Sequence, residues 1–283
     1  MRSVKTLVAL VLVAGVAFAA TRLGAAPVAL KTTEFGTGPT IVLVHGLGGT
    51  GLNWMPTARR LIAGHHVVMV DLPGHGESPL PDPFSLDDVA ESLDGVMTRQ
   101  PQGAVLVGHG MGALVAMAEL RRHPDHVKGL VIIDGGARSP IPVPDQQQKY
   151  FLDYVDQNYD AFLKSMFTKL GRDSAQGVEI NAQASQVSKQ AMTAYLRALL
   201  NADESAALRA PKVPVMYLGS SKTWPDSVTW VTVAHTRGFP DASVITARRI
   251  GASGYWMMRD QPDSLAAVLA DFTKGLGAVA ADR

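Results

Sequence analysis

Four apolar stretches mark the first half of the chain, each nearly unbroken and each ending in glycine: TIVLVHG (residues 40–46), HVVMVDLPG (66–74), AVLVGHG (104–110) and GLVIIDGG (129–136). A strand with one wet face alternates apolar and polar residues. Runs that are apolar on both faces predict strands buried in a parallel sheet. Between them, LNWMPTARRLIAG, SLDDVAESLDGVM and GALVAMAELRRH space their apolar residues as helices do. Ser85 ahead of Asp88 predicts a helix N-cap with acidic first-turn support. Strand–helix alternation of this kind predicts an α/β fold, a mostly parallel sheet with helices on both faces.

The alternation breaks over residues 137–210. A proline-rich exit, ARSPIPVPD, leads into QQQKYFLDYVDQNYDAFLKSMFTKL and VSKQAMTAYLRALL, which are helical and carry methionine and aromatic residues. Strand and helix then resume with VPVMYLG (213–219), a helix near 227–237, SVITARRI (243–250) and a last helix from about Asp263. This predicts one core domain, residues 28–136 and 211–283, with a helical lid inserted at 137–210.

Composition adds limits. The formal net charge is +1, with 47% hydrophobic and 18% charged residues, so no basic face for nucleic acid is expected. The absence of cysteine rules out a disulfide or a lipoprotein anchor. Residues 1–20 place Arg2 and Lys5 before an apolar run ending in Ala17-Phe18-Ala19, the layout of a secretory signal peptide. The expected location is therefore periplasmic or secreted. The alternative is a protein held at the membrane by an uncleaved N-terminus.

Ligands of open parallel sheets bind at the carboxyl ends of the strands. Those ends carry His45-Gly46, Asp71, VGHGMG (107–112), Asp134, Lys222 just past the fifth run, and Ser253-Gly254-Tyr255-Trp256. Of the eight histidines, only His45, His75 and His109 fall there; His65, His66, His123, His126 and His235 belong at the far end. No metal-ligand cluster is visible and no cofactor is expected.

VHGLGGTGLNW, DLPGHGES, LVGHGMG, VIIDGG, VPVMYLG and GASGYWMMRDQPDSL together resemble the α/β-hydrolase superfamily in order and spacing, from about Val28 onward. The resemblance is to its lid-bearing lipases and esterases, and it implies a nucleophile–acid–histidine triad in chain order. Here those three positions fall on Gly110, Lys222 and Tyr255, so all three depart from the pattern. The implied oxyanion-hole donors are the backbone N–H groups of Leu47 and Met111, which survive side-chain change. Further binding candidates are His45, Trp54, His109, Asp134 and Trp256, with Phe162, Met166 and Tyr195 as possible pocket lining.

Two principal readings follow. One is an exported, non-hydrolytic relative with a degenerate triad that binds a small apolar or acyl-bearing molecule. The other is an active enzyme with a non-standard residue set, an esterase-like hydrolase or a cofactor-free lyase or oxygenase. A protein-interaction role is a third, with no distinctive surface patch to support it.

Overall fold

The computed structural model describes residues 26–138 and 143–281. The expected signal peptide lies outside them. Seven strands form one sheet in the order β1-β3-β2-β4-β5-β6-β7. They are β1 (Thr32–Phe35), β2 (Thr40–Val44), β3 (His66–Val70), β4 (Ala104–His109), β5 (Val127–Ile133), β6 (Val215–Ser220) and β7 (Ile245–Ile250). Only β1 runs antiparallel, against β3; every other pairing is parallel.

The unbroken apolar runs have a direct cause. Along β2, Val42 and Val44 join the core on one face, while Ile41 and Leu43 join the core on the other. Val68 and Val70 against Val67 and Met69 repeat this in β3. Helices α1 (Met55–Leu61) and α10 (Pro262–Ala281) cover one face, and α2 (Leu86–Met97) and α3 (Met111–Arg122) the other. Ser85 caps α2 as expected, its hydroxyl oxygen accepting from Asp88 N–H at 3.1 Å.

The expected strands overrun at their carboxyl ends. His45-Gly46 and Asp71 to Gly74 are loop, not ladder, the pairing of β2 and β3 ending at Val44 and Val70. The short antiparallel β1 was not anticipated: TTEF is half-exposed and carries no apolar run.

Between β5 and β6 stand four helices, α4 (Asp145–Gln157), α5 (Tyr159–Phe167), α6 (Ser174–Ala184) and α7 (Lys189–Leu200). Phe162, Phe167, Ile180 and Met192 pack into the core they share with the sheet. Close approach of these helices needs glycine in the loops below. A Cβ at Gly48 would meet Ala184 Cβ at 2.7 Å, and one at Gly74 would meet Ala191 Cβ at 2.7 Å. Both residues also have positive φ, 75° and 73°, which glycine adopts without a Cβ clash. After β6 the chain continues through α8 (Trp230–Thr236), β7 and α9 (Met257–Asp260). No helix among the described residues is long and apolar enough to cross a membrane.

Candidate active site

Parallel register lines up the strand ends: Val44 pairs with Gly108, and His109 with Ile133. The turn from β4 into α3 is made by Gly110 alone, with φ 54° and ψ −115°. This is the geometry of a sharp strand-to-helix elbow, held by Gly110 N–H donating to the Ile133 carbonyl at 2.8 Å. Met111 begins α3, so its N–H has no partner within the helix.

A cavity of about 360 Å³ opens over this elbow. Gly110, Met111, Leu47, Asp134 and Tyr255 form its floor, Met166, Phe167, Leu170 and Leu199 come from the helical stretch between β5 and β6, and Arg138 and Arg237 complete the wall. Tyr255 occupies the space above the elbow. A Cβ at Gly110 would collide with its hydroxyl and stand 2.9 Å from its Cζ. The phenol is pushed well above its ordinary pKa, first by burial and then by the Asp134 charge, so it is a proton donor at neutral pH.

Asp134 follows β5 with φ 51°, a left-handed conformation in which Asp is enriched. It is buried; Oδ1 accepts from Ser220 N–H at 2.8 Å and from the Thr223 hydroxyl. Oδ2 has no hydrogen-bond partner among the described residues. Burial raises the carboxyl to about 6, against the opposing pull of the Thr223 and Ser220 hydrogen bonds and the Arg237 charge. A carboxylate with one free oxygen and a pKa near neutrality can take a proton from water.

The other expected binding residues sit behind this cavity. His109 Nε2 donates to the Tyr255 carbonyl at 2.8 Å, and Trp54 meets its ring edge-on at 6.5 Å. His45 donates from Nδ1 to the Gly46 carbonyl at 2.8 Å and accepts at Nε2 from Leu72 N–H at 2.9 Å. His75 Nε2 accepts from Gly48 N–H at 3.3 Å. Burial lowers His45 and His109 to about 4 and His75 to about 3, so all three are neutral braces of the loops. Trp54 and Trp256 are buried in the core, Trp256 under the Arg259 guanidinium at 4.6 Å. Phe162 and Tyr195 pack away from the cavity, Tyr195 donating to the Pro73 carbonyl at 3.0 Å.

Lys222 does not enter the site. Its Nζ donates to the Gly171 carbonyl at 2.8 Å, and the next residue, Thr223, is the one that reaches Asp134. Thr223, Ser220, Arg138 and Arg237 were not anticipated as site residues. Thr223 and Arg237 lie in turns, Arg138 in an isolated bridge to Asp203 and Ser220 at the end of β6, and only the strand-end position of Ser220 could have pointed to any of them.

Residues 41–268 match the model of the alpha/beta hydrolase family. Over 106 residues the chain is 40% identical to the pimeloyl-[acyl-carrier protein] methyl ester esterase of Pseudoalteromonas atlantica, covering 37% of this chain and 40% of that one. Over 263 residues it is 29% identical to the biotin biosynthesis bifunctional protein BioHC of Cellvibrio japonicus, covering 87% of this chain and 50% of that one. The chain thus spans about half or less of the length of these curated relatives. Among solved structures, the esterase from Thermogutta terrifontis superimposes with a TM-score of 0.70 at 22% identity, covering 88% of this chain and 94% of that one. The esterase names of these relatives overturn the expectation of a non-hydrolytic binding protein and favour its alternative, an active enzyme of the family.

Proposed function

We propose, for a chain that belongs to the alpha/beta hydrolase family, that it hydrolyses an acyl ester with water activated by Asp134 in place of a serine nucleophile. The observation that carries this is Asp134, whose Oδ2 is buried without a hydrogen-bond partner among the described residues, in the lining of a cavity that also holds Leu47, Met111 and Tyr255. Asp134 takes a proton from a water molecule, and the oxygen attacks the ester carbonyl carbon. Charge develops on the carbonyl oxygen, where the N–H groups of Leu47 and Met111 receive it; one such donor is worth ~10²–10³ in kcat. The tetrahedral species collapses by breaking its bond to the alcohol oxygen. The Tyr255 hydroxyl protonates the departing alkoxide and is reprotonated from Asp134, leaving an acid and an alcohol.

The substrate class follows from the walls. Met166, Phe167, Leu170 and Leu199 suit an acyl chain, and Arg138 and Arg237 suit an anionic group at its end or on its carrier. The relatives named as esterases of a pimeloyl carrier-protein methyl ester support an acyl ester of this type. Helices α4 to α7 would serve as the cover of the cavity.

The test is release of p-nitrophenol from short and medium acyl esters, and of methanol from dicarboxylic monomethyl esters, with Asp134→Asn beside the unaltered chain. Turnover that disappears in Asp134→Asn supports the reading. No turnover of any ester, or turnover indifferent to Asp134→Asn, overturns it.

A further inference from the structure

A second cluster of polar groups lies at the opposite end of α3 from the elbow, about 18 Å away for a 12-residue helix. Sequence reading found no metal-ligand set because its members come from two helices and a turn. Glu91 and Asp94 stand one turn apart on α2, and α3 packs alongside. His123 ends α3, and the Pro124–His126 turn brings the His126 ring parallel to that of His123, with centroids 6.0 Å apart and 8° between planes.

Asp94 lies between the two imidazoles: its Oδ1 is 2.6 Å from His126 Nδ1 and its Oδ2 3.9 Å from His123 Nδ1. Donor atoms of Asp94, His123 and His126 all fall within 4.8 Å of one another. Glu91 approaches the other nitrogen of His123, Nε2, at 3.3 Å. Glu119, in the last turn of α3, is fully buried beside Asp94. Arg122 pairs with Glu91 and stands 3.3 Å from Asp87.

We propose that Asp94, His123 and His126 form a binding site for a divalent transition-metal ion of the zinc class, with Glu91 orienting His123. Two imidazole nitrogens and one carboxylate, with water in the fourth position, are a donor set that zinc accepts. A carboxylate on the far nitrogen of a ligating histidine is the usual outer support of such sites. The carboxyl ends of α2 and α3 converge here and favour a cation. Ligating nitrogens must be free of protons, so binding weakens in acid.

The experiment is titration of the tag-free chain with zinc chloride against a chromophoric chelator at neutral pH, with melting curves alongside. One equivalent of zinc bound with a raised Tm is expected. Affinity should fall at least ~100-fold in His123→Gln/His126→Gln and ~10–100-fold in Glu91→Gln. Absence of saturable binding, or binding unchanged in the double histidine variant, overturns the proposal. Ester hydrolysis serves as the folding control for every variant.

Discussion

The phenol of Tyr255 stands where a side chain on Gly110 would project: a Cβ there would collide with the hydroxyl and lie 2.9 Å from Cζ. The two residues therefore constrain each other. Gly110→Ser alone should lower the free energy of unfolding by about 1–3 kcal/mol, from backbone strain at positive φ, before any clash is counted. In a Tyr255→Ala background the same change should be milder by ~0.5–3 kcal/mol. Urea unfolding of the four chains of this cycle measures the coupling, and strict additivity would show that Tyr255 does not fill the elbow.

Asp134→Asn should separate activity from stability. Its carboxyl is raised from 3.8 to about 6 in the folded chain, so between those values the native state binds more protons than the unfolded one. The contribution of Asp134 is fully present below pH ~4 and is lost as pH rises through about 6, amounting to about 3 kcal/mol. Asparagine keeps an acceptor for Ser220 N–H and carries no charge. Above pH 7 the variant should be at least as stable as the parent while losing ester turnover, and the parent's rate should rise with pH through about 6. A variant less stable at pH 8 than at pH 4 relative to the parent would contradict the sign.

Much of this site was legible from strand ends. Asp134, Leu47, Met111 and Gly110 all follow apolar runs whose two-faced burial fixed where the sheet must stop. Tyr255 was reached only through the spacing of a family pattern, since 145 residues separate it from Gly110. The same pattern misdirected attention to Lys222, whose side chain turns to the Gly171 carbonyl while its neighbour Thr223 faces Asp134. His45 and His109 read as binding candidates by position. Both His45 ring nitrogens and His109 Nε2 are spent on Gly46, Leu72 and Tyr255 backbone groups, which a linear sequence does not display. The cluster of Asp94, His123 and His126 was invisible for a related reason: the packing of α2 on α3 creates it.

The three buried histidines should make the chain sensitive to acid. Their folded values of about 4, 3 and 4 lie below the ordinary 6.5, so the unfolded chain takes up protons that the folded chain refuses. The stability they contribute is present above pH 6.5 and is lost as pH falls toward 4. Asp134 acts in the opposite sense over part of this range, but it is one group against three. The urea midpoint should therefore drop between pH 6.5 and 5, with a shallower drop in His109→Asn. A midpoint flat over that interval would mean that the rings are solvated or already charged in the folded chain.

Tyr255→Phe tests the proton donor without altering the packing over Gly110. The ring and its carbonyl contact to His109 remain, and only the hydroxyl is removed. If this group protonates the leaving alkoxide, kcat should fall ~10²–10⁴-fold with KM little changed. The deficit should shrink for p-nitrophenyl esters, whose leaving group needs no proton, and persist for methyl esters. An equal loss on both would move Tyr255 from proton transfer to a role in shaping the cavity.

The two arginines of the cavity wall should govern which acyl esters bind. Arg237 lies close enough for its charge to lower both Asp134 and Tyr255, and Arg138 lines the same cavity. A guanidinium in such a wall recognises a carboxylate or phosphate by paired hydrogen bonds. Arg138→Gln should raise KM for a dicarboxylic monomethyl ester about tenfold or more and leave a neutral ester of equal length nearly unchanged. Arg237→Gln should do the same and, because it removes a charge that holds Asp134 down, move the acidic limb of the rate profile upward in pH. A pH shift without a change in selectivity would assign Arg237 to tuning the base, leaving Arg138 to hold the anion. Equal losses on charged and neutral esters in both variants would remove the anionic group from the substrate and leave the apolar wall of Met166, Phe167 and Leu199 as the source of selectivity.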